Sequence, residues 1–191
     1  MNKNSCEFVK FVDKNILEFV TVALEFCALM ETTSKHTIFS FTDKAVKIFP
    51  LLYLKATLLP VTGETDDDNK LEQYITEHTY EAIRHRIADL MGEYDPFLET
   101  FHPDMQYSDT PVAATISENL ADVYQDIGNF AALFRQENEY VMEQALIACE
   151  ENFRLYWGQK LLNALKAIHV VRYNEDFPIN DDNEPFEDET A

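Results

Sequence analysis

Apolar residues recur at steps of three and four through most of this 191-residue chain, and that spacing predicts helices. In the first, about 5–32, Phe8, Val12, Ile16, Phe19, Val20, Ala23, Phe26, Cys27 and Met30 share one face. Lys10, Asp13, Lys14 and Glu18 fall mostly elsewhere, and a break is placed near Asp13 to Asn15. A second helix is predicted over about 40–59. Pro50 lies inside it and lacks an amide hydrogen, so it either kinks this helix or opens its second half, and Pro60 ends it. The acidic stretch "VTGETDDDNK" then reads as an exposed loop.

A third helix is predicted from about Leu71 to Gly92. "YDPFLETF" follows as a separate short helical turn, with Asp95 as cap and Pro96 at its first position. "HPDMQYSDTPVAAT" is the longest irregular segment of the compact part, and long connections are where function tends to sit. The fourth helix starts near Ile116 and Ser117 and carries the stripe Leu120, Val123, Tyr124, Ile127, Ala131 and Phe134. A fifth begins near Glu139 and reaches Arg172, with Met142, Ala145, Leu146, Cys149, Phe153, Tyr156, Trp157, Ala164, Leu165 and Ile168 as its stripe. There is no internal repeat and no alternating strand pattern of useful length. The expected fold is all-α, a single antiparallel bundle of about five main helices with short extra helical turns. It spans residues 1–173, and the acidic segment 174–191, which has no basic residue, is expected to be a mobile tail.

Composition narrows the partners. With only 4 glycines, neither a turn-rich β protein nor a glycine-rich phosphate loop fits. A formal charge of −20 repels nucleic acid and anionic membrane surfaces, so a cationic partner, or none, fits better. Three cysteines without metal-type spacing read as reduced thiols, with Cys27 and Cys149 on apolar helical faces. The N-terminus lacks a signal-peptide core and no apolar run approaches the ~20 residues that span a bilayer, so a cytoplasmic location is expected.

The candidate chemistry centres on "SENLADVYQDIGN". Glu118, Asp122 and Asp126 are spaced i, i+4, i+8 and line one side of the fourth helix, where like charges repel. That side predicts solvent, facing cations such as Arg84, Arg86 or Arg154, or a divalent cation held by Asp122 and Asp126. The apolar stripe puts the three carboxylates at the border of the core or outside it, with Asp122 the more enclosed of the two aspartates. Trp157 lies on the buried stripe and is read as core rather than ligand platform. Gly158 beside it, unfavourable in a helix interior, predicts a close approach to the backbone. His169, near the end of that helix, suits the carbonyl end of the dipole. No metal site is assigned: Glu99 and His102 alone have the di-iron spacing and run into Pro103, while His78 and His85 lack zinc-type partners. No nucleophilic triad can be read, and no cofactor is expected.

The stretches "FPLLYLKATLLP", "MGEYDPFLETFHPDMQYSD", "ISENLADVYQDIGNFAALF" and "FRLYWGQKLLNALKAIH" together resemble a bacterial domain-of-unknown-function family, the one numbered five thousand and sixty-three, common in Bacteroides-like organisms. The resemblance covers about Asn15 to Val171. Its most specific parts are Tyr124 to Asp126 and Tyr156 to Gly158, the latter leading to His169. It implies a helical, bacterial, intracellular protein and carries over no catalytic residue. The expected function is a non-enzymatic helical module that binds another protein or itself. The alternative is a small metal- or ligand-binding enzyme centred on Asp122 and Asp126, with His169 or His102 nearby.

Overall fold

The computed structural model describes residues 13–60, 63, 71–99 and 112–174. Five features read from the sequence therefore lie outside the described residues: the start of the first helix, Cys6, nearly all of the acidic loop, the connection with His102, and the acidic tail.

The chain is all-α, as the periodicity predicts. Helix α1 is Lys14–Glu31, and the break expected near Asp13 is its cap, since the Asp13 carboxylate accepts the Asn15 amide at 2.7 Å. Helix α2, Ile38–Thr57, starts at the Thr37 cap and runs on through Pro50. Pro50 faces solvent, where water can serve the carbonyl one turn back that loses its amide partner. Helix α3 is Glu77–Met91, α4 is Ile116–Phe134, α5 is Glu139–Asn152 and α6 is Gly158–Arg172. A π turn, Phe153–Trp157, joins α5 to α6, so the last predicted helix is one continuous helical run.

Residue pairs fix the packing directions. Glu18 of α1 meets Lys55 of α2 at 2.6 Å, so the start of one helix lies beside the end of the other. Asp43 of α2 meets Arg172 of α6, while Tyr53 stacks edge-on against Phe153. Phe19 packs on Phe130, and Tyr124 reaches Glu31, which runs α1 antiparallel to α4. Helix α4 touches α1, α3, α5 and α6 and is the axis of the bundle. The core around it includes Phe19, Phe26, Phe49, Leu120, Ile127 and Trp157. Among the described residues no helix is long and apolar enough to cross a membrane.

Two segments differ from the sequence reading. The third helix begins at Glu77, not Leu71. The Thr76 hydroxyl accepts the Thr79 amide and caps it there, and residues 71–75 form an irregular segment instead. The second difference is at "YDPFLETF", where the residues expected to open a helical turn at Pro96 are not helical through Leu98. Pro96–Leu98 is a strand, β1, paired antiparallel with β2, Ala113–Thr115. Asp95 is a cap, but for a different helix. Its carboxylate accepts both the amide and the hydroxyl of Ser117 at 2.7 Å, and its carbonyl accepts the Ile116 amide at 2.9 Å. With Thr115 accepting the Glu118 amide, the first three orphan donors of α4 are satisfied. A buried carboxylate at the positive end of a long helix dipole is better placed there than at the head of a single turn.

Candidate functional site

Because α4 is surrounded, most of its buried polar side chains meet protein partners rather than water, while Asn119 Oδ1 is left without one. Ser117, Asn119, Asp122 and Asn129 are all buried on it. The expectation that the acidic side lies at the border of the core or outside fails for Asp122 and holds for Glu118 and Asp126, with Asp122 the more enclosed of the two aspartates as expected. Only Glu118 is exposed; it sits in the first turn of α4, where its charge favours the dipole.

Asp122 is 8% exposed. The Tyr80 hydroxyl of α3 donates to its Oδ1 at 2.9 Å, and the Lys160 ammonium of α6 lies 3.1 Å from Oδ2. Lys160 also stands 5.5 Å from the centre of the Tyr156 ring. Burial, and then a hydrogen bond to Asp122, raise the Tyr156 phenol above its ordinary value; burial and the Asp122 charge do the same to Tyr80. The compensating cation is thus none of the three arginines considered. Arg84 pairs with Glu81 on its own helix, Arg154 with Glu150, and Arg86 lies near Tyr124. Nor is it His169, which is exposed on the last turn of α6 with its ring 4.7 Å from that of Tyr173. Nine residues separate His169 from Lys160, about 13 Å along the helix.

Asp126, one turn after Asp122, has no such cation. Its Oδ1 accepts from the Asn152 side-chain amide at 2.8 Å. Burial pushes its carboxyl up to about 6; the Asn152 hydrogen bond opposes that shift and the Asp122 charge adds to it. Asp126 is half-buried and faces an open cleft of about 300 Å³ between α4, α5 and the irregular segment 71–75. Gln125, Asn152, Tyr156 and Glu72 also line it, and its floor includes Ala145, Ala148 and Cys149. Among the described residues the lining contains two carboxylates and no lysine, arginine or histidine.

The wall of the cleft is pinned from α4. Asn129 Oδ1 accepts the backbone amides of both Tyr74 and Ile75, at 2.7 and 2.8 Å, and its Nδ2 donates to Gln73. Gly128 lets Ile75 come close, since a Cβ there would stand 2.8 Å from the Ile75 Cδ1. Cys149 on the floor is a free thiol that burial pushes well above its ordinary value, and Cys27 is likewise buried and raised to about 12.

Of the residues singled out in the sequence, Asp122 and Asp126 come together around Tyr156, while Glu118 and His169 stand apart. Trp157 is fully buried, its indole N–H donating to the Cys149 carbonyl at 2.9 Å and its ring 4.8 Å from Phe153. That is the core role expected of it. Among the described residues no group of three or more His, Cys, Asp or Glu side chains is gathered as a metal would require. Sequence reading passed over Tyr80 and Asn152, took Asn129 only as the end of "SENLADVYQDIGN", and gave Lys160 no part in the site. Lys160 follows Tyr156 by four residues and so shares its helical face, which was the available signal.

The chain matches the sequence model of one family, described as "Domain of unknown function (DUF5063)", over residues 10–174. That span takes in the whole of the resemblance noted above. A crystal structure of protein BF1032 from Bacteroides fragilis is similar in sequence and fold: 42% identity, a TM-score of 0.77, and coverage of 86% of this chain and 96% of that one. No curated protein matches the chain.

Proposed function

We propose, from the premise that this chain belongs to the DUF5063 family, that it is a non-enzymatic helical module which binds another protein at the cleft beside Asp126. One observation carries this reading. The protein balances the Asp122 charge with Lys160 and leaves Asp126, one turn away, half-buried in an acidic cleft without a cation. A carboxylate kept there costs stability, and a partner that supplies positive charge recovers it. Tyr156 and Tyr74, 45% and 39% exposed, stand at and beside the cleft, and exposed aromatic side chains of this kind are enriched in interfaces.

The groups that could do chemistry point the same way. Asp122 is held by three neighbours, and the Cys149 thiol is pushed away from its reactive form. A charge of −20 disfavours nucleic acid as the partner and leaves a protein, another copy of this chain included. The two free, buried cysteines suit a cytoplasmic location. A photo-crosslinking residue placed at Gln125 in the native cell tests the reading. A discrete cross-linked protein that disappears when Tyr156→Ala is added supports it; no discrete product, or one indifferent to Tyr156, overturns it.

A second reading rests on the same carboxyl. A pKa near 6 in a cleft is the range of a general base, so Asp126, with Asp122 one turn before it, would be the centre of a small metal-binding enzyme. Elemental analysis and a thermal-shift series with divalent cations separate this from the first reading.

A further inference from the structure

The shape and lining of the cleft carry the binding reading one step further. We propose that the cleft takes a primary ammonium group on an alkyl chain, seated against Asp126. This inference rests on the cleft being the binding site. The cavity has a mixed polar and apolar lining. Ala145, Ala148 and Leu133 provide surface for methylene groups, while Asp126, Asn152 and Gln125 provide oxygen acceptors. Its volume of about 300 Å³ lies at the small end of ligand sites, which suits one side chain or a short amine better than a large cofactor.

The acceptors select among cations. Asn152 donates one N–H to Asp126 Oδ1, and among the described residues no hydrogen bond occupies the Asn152 carbonyl oxygen or Asp126 Oδ2. Gln125 has no side-chain partner among the described residues and adds a third oxygen. An ammonium has three donors on one point charge and matches three separate acceptors. A guanidinium gains most from a bidentate fork on a carboxylate whose two oxygens are both free, and Asn152 already sits on Asp126 Oδ1. A divalent metal would find Asp126 and Glu72 with neutral amides around them, and among the described residues no group of three His, Cys, Asp or Glu side chains is gathered to hold it. The exposed face of Tyr156 adds a ring at the same wall.

Both a free alkylamine and a lysine side chain of another protein present this group, and the test separates them. Full-length protein is titrated with n-butylamine and with an Nα-acetyl-lysine amide, and the side-chain amide signals of Asn152 and Gln125 are followed by NMR. n-Pentanol and the Nε-acetylated lysine amide serve as uncharged controls, and propylguanidine as the competing cation. The expected result is a saturable shift of both signals with the amines at about pH 8, and binding about tenfold to hundredfold weaker with Asp126→Asn.

The same loss is expected at about pH 5, where the Asp126 carboxyl takes up a proton. The other groups facing it are Asp122 from α4, Glu72 from the irregular segment 71–75, Cys149 from α5 and Tyr156 from the π turn, with Lys160 beyond Asp122. Cys149 and Tyr156 are pushed upward, away from that range. Tighter binding of the lysine amide identifies a protein lysine as the source, and tighter binding of butylamine a free amine. Shifts matched by pentanol, indifferent to Asp126→Asn, or absent overturn the ammonium assignment. If they are absent while the Gln125 cross-link persists, the module stands without it. Ammonium binding without any cross-linked protein leaves a small-molecule site and removes the module.

Discussion

Gly158 stands so close to Phe153 that a Cβ on it would lie 2.5 Å from the Phe153 carbonyl oxygen and 2.8 Å from its ring. The reason is the π turn, in which the Gly158 amide donates to that same carbonyl five residues back. The turn carries Trp157 into the core and keeps Tyr156 on the cleft.

Gly158→Ala is therefore expected to destabilise. Alanine gains about 1 kcal/mol of helix propensity over glycine, but a methyl group forced onto backbone typically costs about 1–3 kcal/mol or more. A net loss of about 1–2 kcal/mol in urea unfolding is the expected outcome. A gain of about 1 kcal/mol would mean that the backbone relaxes to an ordinary α-helix and that the turn is dispensable.

Asp122→Asn keeps the shape and removes the charge. Lys160, whose side chain is 29% exposed, then loses its counter-ion, and the two tyrosine hydroxyls keep only a neutral acceptor. Breaking a fully buried pair costs about 3–5 kcal/mol, and the open side of Lys160 reduces that. Destabilisation by about 2 kcal/mol is expected, partly restored by adding Lys160→Met. An unchanged midpoint would show that the pair contributes nothing.

Much of this arrangement was legible in the sequence because it repeats locally. The three-four stripes gave the helices, and the i, i+4 spacing put Asp122 and Asp126 on one side of α4. What stayed hidden depends on residues far apart in the chain. A stripe of six apolar residues reads as one buried face; that the opposite face is covered too follows only from the docking of α5, α6 and segment 71–75. Leu71 to Ile75 has helix-compatible residues, yet Asn129, some 55 residues later, takes its amides. Asp95 likewise reads as a cap for the next few residues and instead caps a helix that starts after a long excursion.

Asn129→Ala tests whether that side chain is what holds the wall. It leaves the amides of Tyr74 and Ile75 without an acceptor, at a cost of about 1–3 kcal/mol if they remain buried. Faster hydrogen exchange is expected at those two amides specifically, with the protection of α1 and α2 retained. Uniform loss of protection would instead mean that Asn129 supports the whole bundle.

Asp126→Asn should do the opposite of Asp122→Asn, although the two residues are one turn apart. The Asp126 carboxyl is raised in the folded chain to about 6, chiefly by burial, against about 3.9 when unfolded. The folded state then binds the proton more tightly than the unfolded one. Stability from this group is full below about pH 4, falls as pH rises toward about 6, and stays low above it. A fully enclosed carboxyl with that shift would cost about 3 kcal/mol, and the open side of the cleft brings the figure nearer 1–2 kcal/mol. Asparagine can still accept from Asn152 and carries no charge to bury. The variant should therefore be more stable than the parent by about 1–2 kcal/mol at pH 7–8, and the two should converge near pH 4. Urea unfolding at a series of pH values reads this directly. Equal stability at every pH would remove the cost attributed to Asp126, and with it the reason for expecting a cationic partner at the cleft.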